Sequence, residues 1–309
     1  MSLNTSIRKG IVTSALLCLT LNSFAQRPHS AEKQAVFDKA VAEAMTSIKP
    51  TTKAKKARKV LVLSKAKGWY HSSIETGKTC MRLMAEKSGA FTADFNDDPN
   101  FYTTENLAQY DALVFNNTTH SQELFNKEQR EAILGFIKNG GGFFGIHSAA
   151  DCGTSVGKSK KTWPEITEMI GGAFDGHPWT HKGMYGIRNE DPNHPLVAPF
   201  EGKNFKISDE IYKHKDYKRE NQRVLWSIDM LESYKSKGRK DHDHAVLWVK
   251  NYGKGRVFFS ALGHNESVFA NPKILQVWLN GLQFAMGDID IDVSALPQPE
   301  IHKNFQPKK

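Results

Sequence analysis

Residues 127–147, KEQREAILGFIKNGGGFFGIH, decide the fold. The pattern predicts a helix over 127–138, closed by Asn139-Gly140-Gly141. Gly142-Phe-Phe-Gly-Ile146 follows, a short apolar run that reads as a strand buried on both faces. The same unit recurs toward the N-terminus. Val60-Leu-Val-Leu63 is an apolar strand, 76–87 a helix, 90–95 a strand, and 110–116 another strand after the turn at Leu107 to Gln109. Apolar strands alternating with helices imply an α/β fold, a doubly wound and mostly parallel sheet covered on both faces. Beyond His147 the rhythm loosens. A Gly/Ser/Lys loop over 153–161 precedes a short helix near 166–170, and strands are predicted at 183–188, 224–228 and 245–249. Gly255-Arg-Val-Phe-Phe-Ser260 reads as a last core strand and 272–286 as the closing helix. No repeat is visible, which excludes solenoids and propellers.

The first residues set the compartment. Arg8 and Lys9 precede an apolar run from Ile11 to Leu21, and Ser23-Phe24-Ala25 stands before Gln26, the order of a secretory signal with its cleavage site. Leu16 and Leu17 are too bulky in front of Cys18 for lipid attachment, which favours plain cleavage. No stretch approaches about 18 uninterrupted apolar residues, so no membrane span is expected. Cleavage after position 25 leaves 284 of the 309 residues in a periplasmic or extracellular compartment. Residues 26–58 then comprise a helix over 31–48 and a basic linker, 59–287 one α/β domain, and 288–309 a Pro-containing tail. Cys80 and Cys152 can pair in an oxidising compartment, but cysteines this far apart in sequence more often sit as separate buried thiols. Six positive charges lie between Lys49 and Lys59 without an acid. Export and the lack of interleaved aromatics favour a solvated linker over a nucleic-acid arm.

The chemistry collects at one edge of the sheet. In doubly wound folds ligands bind outside the carboxyl ends of the strands. His71 follows the first core strand, His120 the third, His147 the fourth and His264 the last. One such histidine is ordinary, but four at one edge predict a pocket. His147 occupies the place that a nucleophile holds in an elbow, after a glycine-rich strand and before a tight turn. Cys152 is five residues on and Ser148 points elsewhere, so proton transfer or metal ligation suits the position better than acyl chemistry. His177 and His181 in Gly176-His-Pro-Trp-Thr-His181 have zinc-like spacing only on a helix, which Pro178 opposes. Asp209-Glu210-Ile-Tyr212 brings two carboxylates and a phenol together, and Asp241-His-Asp-His244 precedes a strand. Either segment can also be an ordinary brace or a solvated loop.

Taken in order, Lys59 to Leu63 with His71, Gly141 to His147, Gly176-His-Pro178, Asp191 to Pro195, Asp209 to Tyr212, Ala245 to Trp248 and Gly253 to His264 resemble the ThuA-like, or trehalose-utilisation-protein-like, family. The resemblance covers about Lys59 to Gly287. It implies a flavodoxin-like, class I glutamine amidotransferase-like fold and a role in bacterial sugar catabolism, beside oxidoreductases that make 3-keto sugars. The family's matching polar positions are His71, His147, Asp209, Glu210, Tyr212, His244 and His264. The resemblance therefore casts His71, His147, Asp209, Glu210 and His264 as catalytic. His120, His181, Tyr212, His244 and Trp163 are expected to contact substrate, with His147, His181 and His264 as candidate ligands of a divalent metal such as zinc. The expected function is acid/base proton transfer on a small-molecule sugar or glycoside, of lyase, hydrolase or isomerase type. The alternative is a non-catalytic carbohydrate-binding or scaffold protein, in which Trp69, Trp163, Trp179, Tyr212 and Trp248 stack on sugar rings. Amidotransfer is excluded by an elbow without cysteine. Oligomeric state stays open.

Overall fold

Five strands laid side by side and pointing the same way form one half of the main sheet, and all but the edge strand are apolar and largely buried. The computed structural model describes residues 27–154 and 160–307. The secretory signal expected over 1–25, the lipid-site candidate Cys18 and the middle of the 153–161 loop lie outside the described residues. In chain order the strands of the main sheet are β1 (Lys59–Leu63), β2 (Thr92–Phe95), β3 (Ala112–Asn116) and β4 (Gly142–Ile146). A two-stranded pair, β5 (Ala173–Phe174) with β8 (His214–Lys215), stands apart from that sheet. The main sheet continues with β6 (Met184–Asn189), β7 (Phe205–Ser208), β9 (Arg223–Ile228), β10 (Ala245–Tyr252) and β11 (Gly255–Ser260).

Among the described residues the sheet order is β2-β1-β3-β4-β11-β10-β9-β6-β7. The first five strands pair in parallel. The remaining pairings are antiparallel, so only β10 and β6 run against the rest. The helix-strand rhythm up to His147 thus stands as read, and β4 and β11 keep the bounds read from the sequence. The second half is a meander instead, because β10 and β11 are joined by the tight turn at Gly253-Lys254, too short for a crossover. β7 and the β5/β8 pair carry no sequence signal: they are four and two residues long, and half of the β7 sequence FKIS is polar.

Every residue of β3 and β4 is buried, as strands covered on both faces must be. Helix Ile74–Ser88, ended by Gly89 in the left-handed region, and helix Lys127–Lys138, started by an Asn126/Gln129 capping box, supply part of the cover. Helix Ala31–Ala44 packs on Ile74–Ser88. Cys80 and Cys152 are separate buried thiols. No helix among the described residues is long and apolar enough to cross a membrane. The closing helix, Pro272–Ala285, is capped by the Asn271 side chain and lies against β4 and β11. At Gly281 the helix comes so close to the sheet that a Cβ would stand 2.4 Å from the Phe258 ring.

Two stability predictions follow from this packing. In an open helix Gly→Ala gains about 1 kcal/mol, but Gly281→Ala must push the helix off Phe258 and is expected to lose about 1–3 kcal/mol in urea unfolding. A gain would show that the contact yields freely. His214 and His244 are buried, and burial, reinforced by Arg239, pushes each imidazole from 6.5 down to about 3. The unfolded chain takes up these protons near pH 6.5 and the folded chain only near pH 3, so their stability contribution is whole above pH 6.5 and is lost as pH falls toward 3. The melting temperature should drop across that window, by up to about 1.4 kcal/mol of stability per histidine per pH unit, and His244→Phe should flatten the drop.

Candidate active site

The parallel strands deliver three imidazoles to one point. β1 leads into the loop that carries His71, β4 ends directly at His147, and β11 is followed by His264. The ring centroids lie 5.0, 5.1 and 5.3 Å apart, with planes at 88°, 89° and 90° to one another. The chain leaving β7 adds Glu210, whose Oε1 is 3.9 Å from His147 Nε2 and whose Oε2 is 3.9 Å from His264 Nε2. One ligand atom from each of these four residues falls within 4.8 Å of the others, and all four are buried.

Each ring is turned by a partner behind it. His147 Nδ1 lies 2.9 Å from the Ala261 carbonyl, which only accepts, so Nδ1 carries the proton and Nε2 a lone pair. That Nε2 is buried without a hydrogen-bond partner. Asn265 commits its amide N–H groups to the His181 and Ser208 carbonyls, which leaves Oδ1 to accept from His264 Nδ1 at 3.2 Å. Ser148 Oγ donates to Asn117 Oδ1 and stands 3.3 Å from His71 Nδ1, so it accepts there. Asn117 in turn donates to Ser73 Oγ and the Gly263 carbonyl. The result is three Nε2 lone pairs aimed inward beside a carboxylate, each imidazole oriented through its other nitrogen in the way metal-binding histidines are.

Electrostatics keeps the rings neutral. Burial, with the neighbouring imidazoles, pushes His71 down to about 3 and His147 far below its ordinary range. Burial brings His264 to about 4. Glu210 is shifted upward by burial, with His177 opposing. A set of deprotonated nitrogens and one carboxylate is what a divalent cation requires, and the cluster can hold one.

His71, Glu210 and His264 form part of the wall of a cavity of about 700 Å³ that also presents Trp69, His120, Asp151, Phe174, His177, His181 and Tyr212, while His147 is fully buried and does not line it. The Tyr212 ring lies 4.3 Å from that of His147 and 4.5 Å from that of Phe174. His71, His147, Glu210, Tyr212 and His264 are therefore brought together as expected, with His120 on the same cavity. Other expected residues take different places. Asp209 does not reach the cavity: it is fully buried and accepts from the Gly263 and Asn265 backbone N–H groups, each at 2.7 Å. Burial raises its carboxyl to about 7 against the pull of those N–H groups. His181 lines the cavity, where a substrate contact was expected, but as a metal ligand it is outside the four-residue cluster, because its segment is a loop bridged to Ile211 at Trp179 rather than a helix; it stacks on His264 at 5.4 Å. His71 and Glu210 stand where His181 was expected. Trp163 is buried against Phe125 and Arg130, and His244 is buried under Trp179 and accepts from the Arg239 backbone N–H, so neither lines the cavity. Asn117 and Asp151 were missed as contributors, and His177, weighed only as half of a zinc-like pair with His181, enters beside Glu210 on the cavity wall instead. The one available signal was that Asn117 and Asp151 flank histidines just past strand ends.

The ThuA family, described as trehalose utilisation, matches over residues 59–285. No curated protein sequence matches the chain. Among solved structures, a ThuA-like protein from Bacteroides uniformis ATCC 8492 superposes with a TM-score of 0.61 at 22% identity, covering 76% of this chain and 94% of that one. A ThuA-like protein from Parabacteroides merdae ATCC 43184 gives 0.55 at 17% identity, covering 78% and 98%. A cytoplasmic protein of Salmonella typhimurium LT2 gives 0.51 at 17%, covering 74% and 99%. At these identities the structural likeness speaks for the fold, and the match along residues 59–285 speaks for descent: this chain belongs to the ThuA, or trehalose-utilisation, family.

Proposed function

We propose that the protein is a metal-dependent enzyme that removes the C2 proton of a 3-keto sugar or glycoside and so opens the way to elimination at C1. The carrying observation is the buried Nε2 of His147, left without a hydrogen-bond partner and aimed with His71, His264 and Glu210 at one point. A non-catalytic carbohydrate-binding or scaffold protein gives no reason to bury three oriented lone pairs beside a carboxylate.

The donor set of three imidazoles and one carboxylate, without thiolate, suits zinc or another first-row divalent ion. When bound, such an ion stabilises the negative charge that develops on the C3 oxygen as the C2 hydrogen leaves. The chain's own residues do the rest. Trp69 and Phe174 offer apolar faces on the cavity wall for a sugar ring. Glu210 divides its two oxygens between the roles: Oε1, beside His147 Nε2, is the one that would serve an ion, and Oε2, 3.5 Å from His177 Nδ1, takes the C2 proton. His177, half-exposed, passes it to water. Asp209 holds the loop that carries His264, which makes it a positioning residue rather than the base. The same reading places the protein in the periplasm or outside the cell, on the strength of the basic, apolar and small residues of positions 8–25.

Metal analysis of protein purified without a nickel column is expected to find near one divalent ion per chain, falling steeply in His147→Ala and His264→Ala; a clearly substoichiometric ion in wild type would sink the metal reading. In deuterated water, wild type should exchange the C2 hydrogen of a 3-keto glucoside, and Glu210→Gln, compared at equal metal content, should slow exchange by about 10²- to 10⁴-fold, the usual worth of a positioned base. Unchanged exchange in Glu210→Gln would remove Glu210 from that role.

A further inference from the structure

His120 and Asp151 share the cavity with the cluster but take no part in it. His120 follows β3 and Asp151 ends the turn after β4, and the two segments are stitched together beyond the strand ends. Thr119 and Asp151 form a parallel bridge, and the His120 backbone N–H donates to the Asp151 carbonyl at 2.7 Å. In the side chains, His120 Nε2 lies 3.5 Å from Asp151 Oδ2. Two features show that room is made for this imidazole. The His120 backbone is in the left-handed region at φ 53°, which a non-glycine residue rarely adopts. The ring also rests on Gly68, where a Cβ would stand 2.4 Å from its Cε1 and 2.5 Å from its Nδ1, so only glycine leaves the space. The His120 side chain keeps 24% of its surface accessible and that of Asp151 15%, open enough to meet a ligand and closed enough to hold a fixed pair.

An imidazole oriented by a carboxylate through one nitrogen presents the other as a proton donor or acceptor. The reaction proposed above requires such a group. When the C2–H bond breaks and its proton goes to Glu210, the bonding pair forms the C2=C3 enolate, with the charge on the C3 oxygen. As the C3 carbonyl is restored, that pair moves to form C1=C2 and the C1–O bond breaks, its electron pair leaving on the departing oxygen, which must take a proton.

Resting on that reading of the site, we propose that His120, held by Asp151, is the general acid that protonates the leaving-group oxygen. His120 gives up one proton to the departing alcohol, its Nε2 stays against Asp151, and the lost proton is restored from water at the cavity mouth. The products are an unsaturated 3-keto sugar and the free alcohol, with no oxidant or reductant consumed.

The test separates the acid from the base by leaving group. Wild type, His120→Gln and Asp151→Asn, each checked for unchanged melting temperature and metal content, are given methyl and 4-nitrophenyl 3-keto-glucosides, and both C2 deuterium uptake and alcohol release are followed. Methoxide needs a proton to leave and 4-nitrophenoxide does not. His120→Gln is therefore expected to slow methanol release by about 10²- to 10⁴-fold while it slows 4-nitrophenol release by less than about 10-fold and leaves C2 exchange near wild type. Asp151→Asn should show the same pattern more weakly. Equal loss on both glycosides, or exchange falling in step with release, would assign His120 a merely structural or binding role and overturn the proposal. Normal methanol release in His120→Gln would overturn it as well. A wild-type protein inert to both glycosides would overturn the sugar reading itself and, with it, the acid.

Discussion

One buried carboxylate joins the two halves of this molecule at the site. Asp209 stands directly after β7, in the antiparallel half, and its two oxygens accept from the backbone N–H groups of Gly263 and Asn265, just beyond β11 in the parallel half. His264 lies between those two donors and Glu210 lies next to the acceptor, so the pair of bonds fixes a ligand from each half relative to the other. A carboxylate with no solvent contact is costly unless it is fully hydrogen-bonded. The raised pKa of Asp209 records that cost, and the two short N–H contacts offset it. Without this clamp Glu210 has no reason to stay within 3.9 Å of two imidazoles from other strands.

A second constraint acts at the ends of β3 and β4. Asn117, His120 and His147 all adopt left-handed backbone, at φ 52°, 53° and 45°. Each such residue costs about 1 kcal/mol or more. Three within two adjacent strand ends persist because the Asn117–Ser148–His71 chain, the His147–Ala261 bond and the His120–Asp151 contacts all fix the same turns. Stability is given up where the chemistry sits and is recovered in a core of buried strands and a closing helix. The same bonds that hold the strained turns also choose the histidine tautomers, so backbone strain and the direction of the lone pairs have one cause.

Much of the parallel half was legible in the sequence because its strands are buried on both faces and therefore appear as uninterrupted apolar runs, with helices punctuated by caps such as Asn126 and Gly89. The histidines were legible for a related reason: position just past a parallel strand places a side chain at the carboxyl edge, whatever the tertiary detail. The antiparallel half offers no such rule. β7 is short and half polar, and nothing in FKIS announces that it brings Asp209 beneath the loop of His264. Which way a ring faces is equally silent in sequence. Trp163 and His244 sit beside pocket segments yet turn into the core, against Phe125 and Trp179, while His71 turns inward to the cluster that His181 only stacks upon. Asn117, in a run that reads as a plain turn, became visible as a hub only through its bonds.

Under the proposed function, this division of labour bears on how one site would discriminate between ligands. The lone-pair donors are anchored in strand ends and second partners that cannot shift without disturbing the core: His147 through Ala261, His71 through Ser148 and Asn117, His264 through Asn265. Their geometry is set by the fold. The surfaces that a substrate would meet first are of another kind. Trp69 is exposed, Phe174 belongs to the two-stranded β5/β8 pair, and His177 and His181 lie on a loop outside the main sheet. Such connecting segments tolerate change in length and composition far better than packed strand ends do. Under that reading, discrimination between substrates belongs to the loops of the antiparallel half and to the Trp69 turn, and the reacting centre to the parallel half, with Asp209 as the covalent neighbour of Glu210 that keeps the two in register.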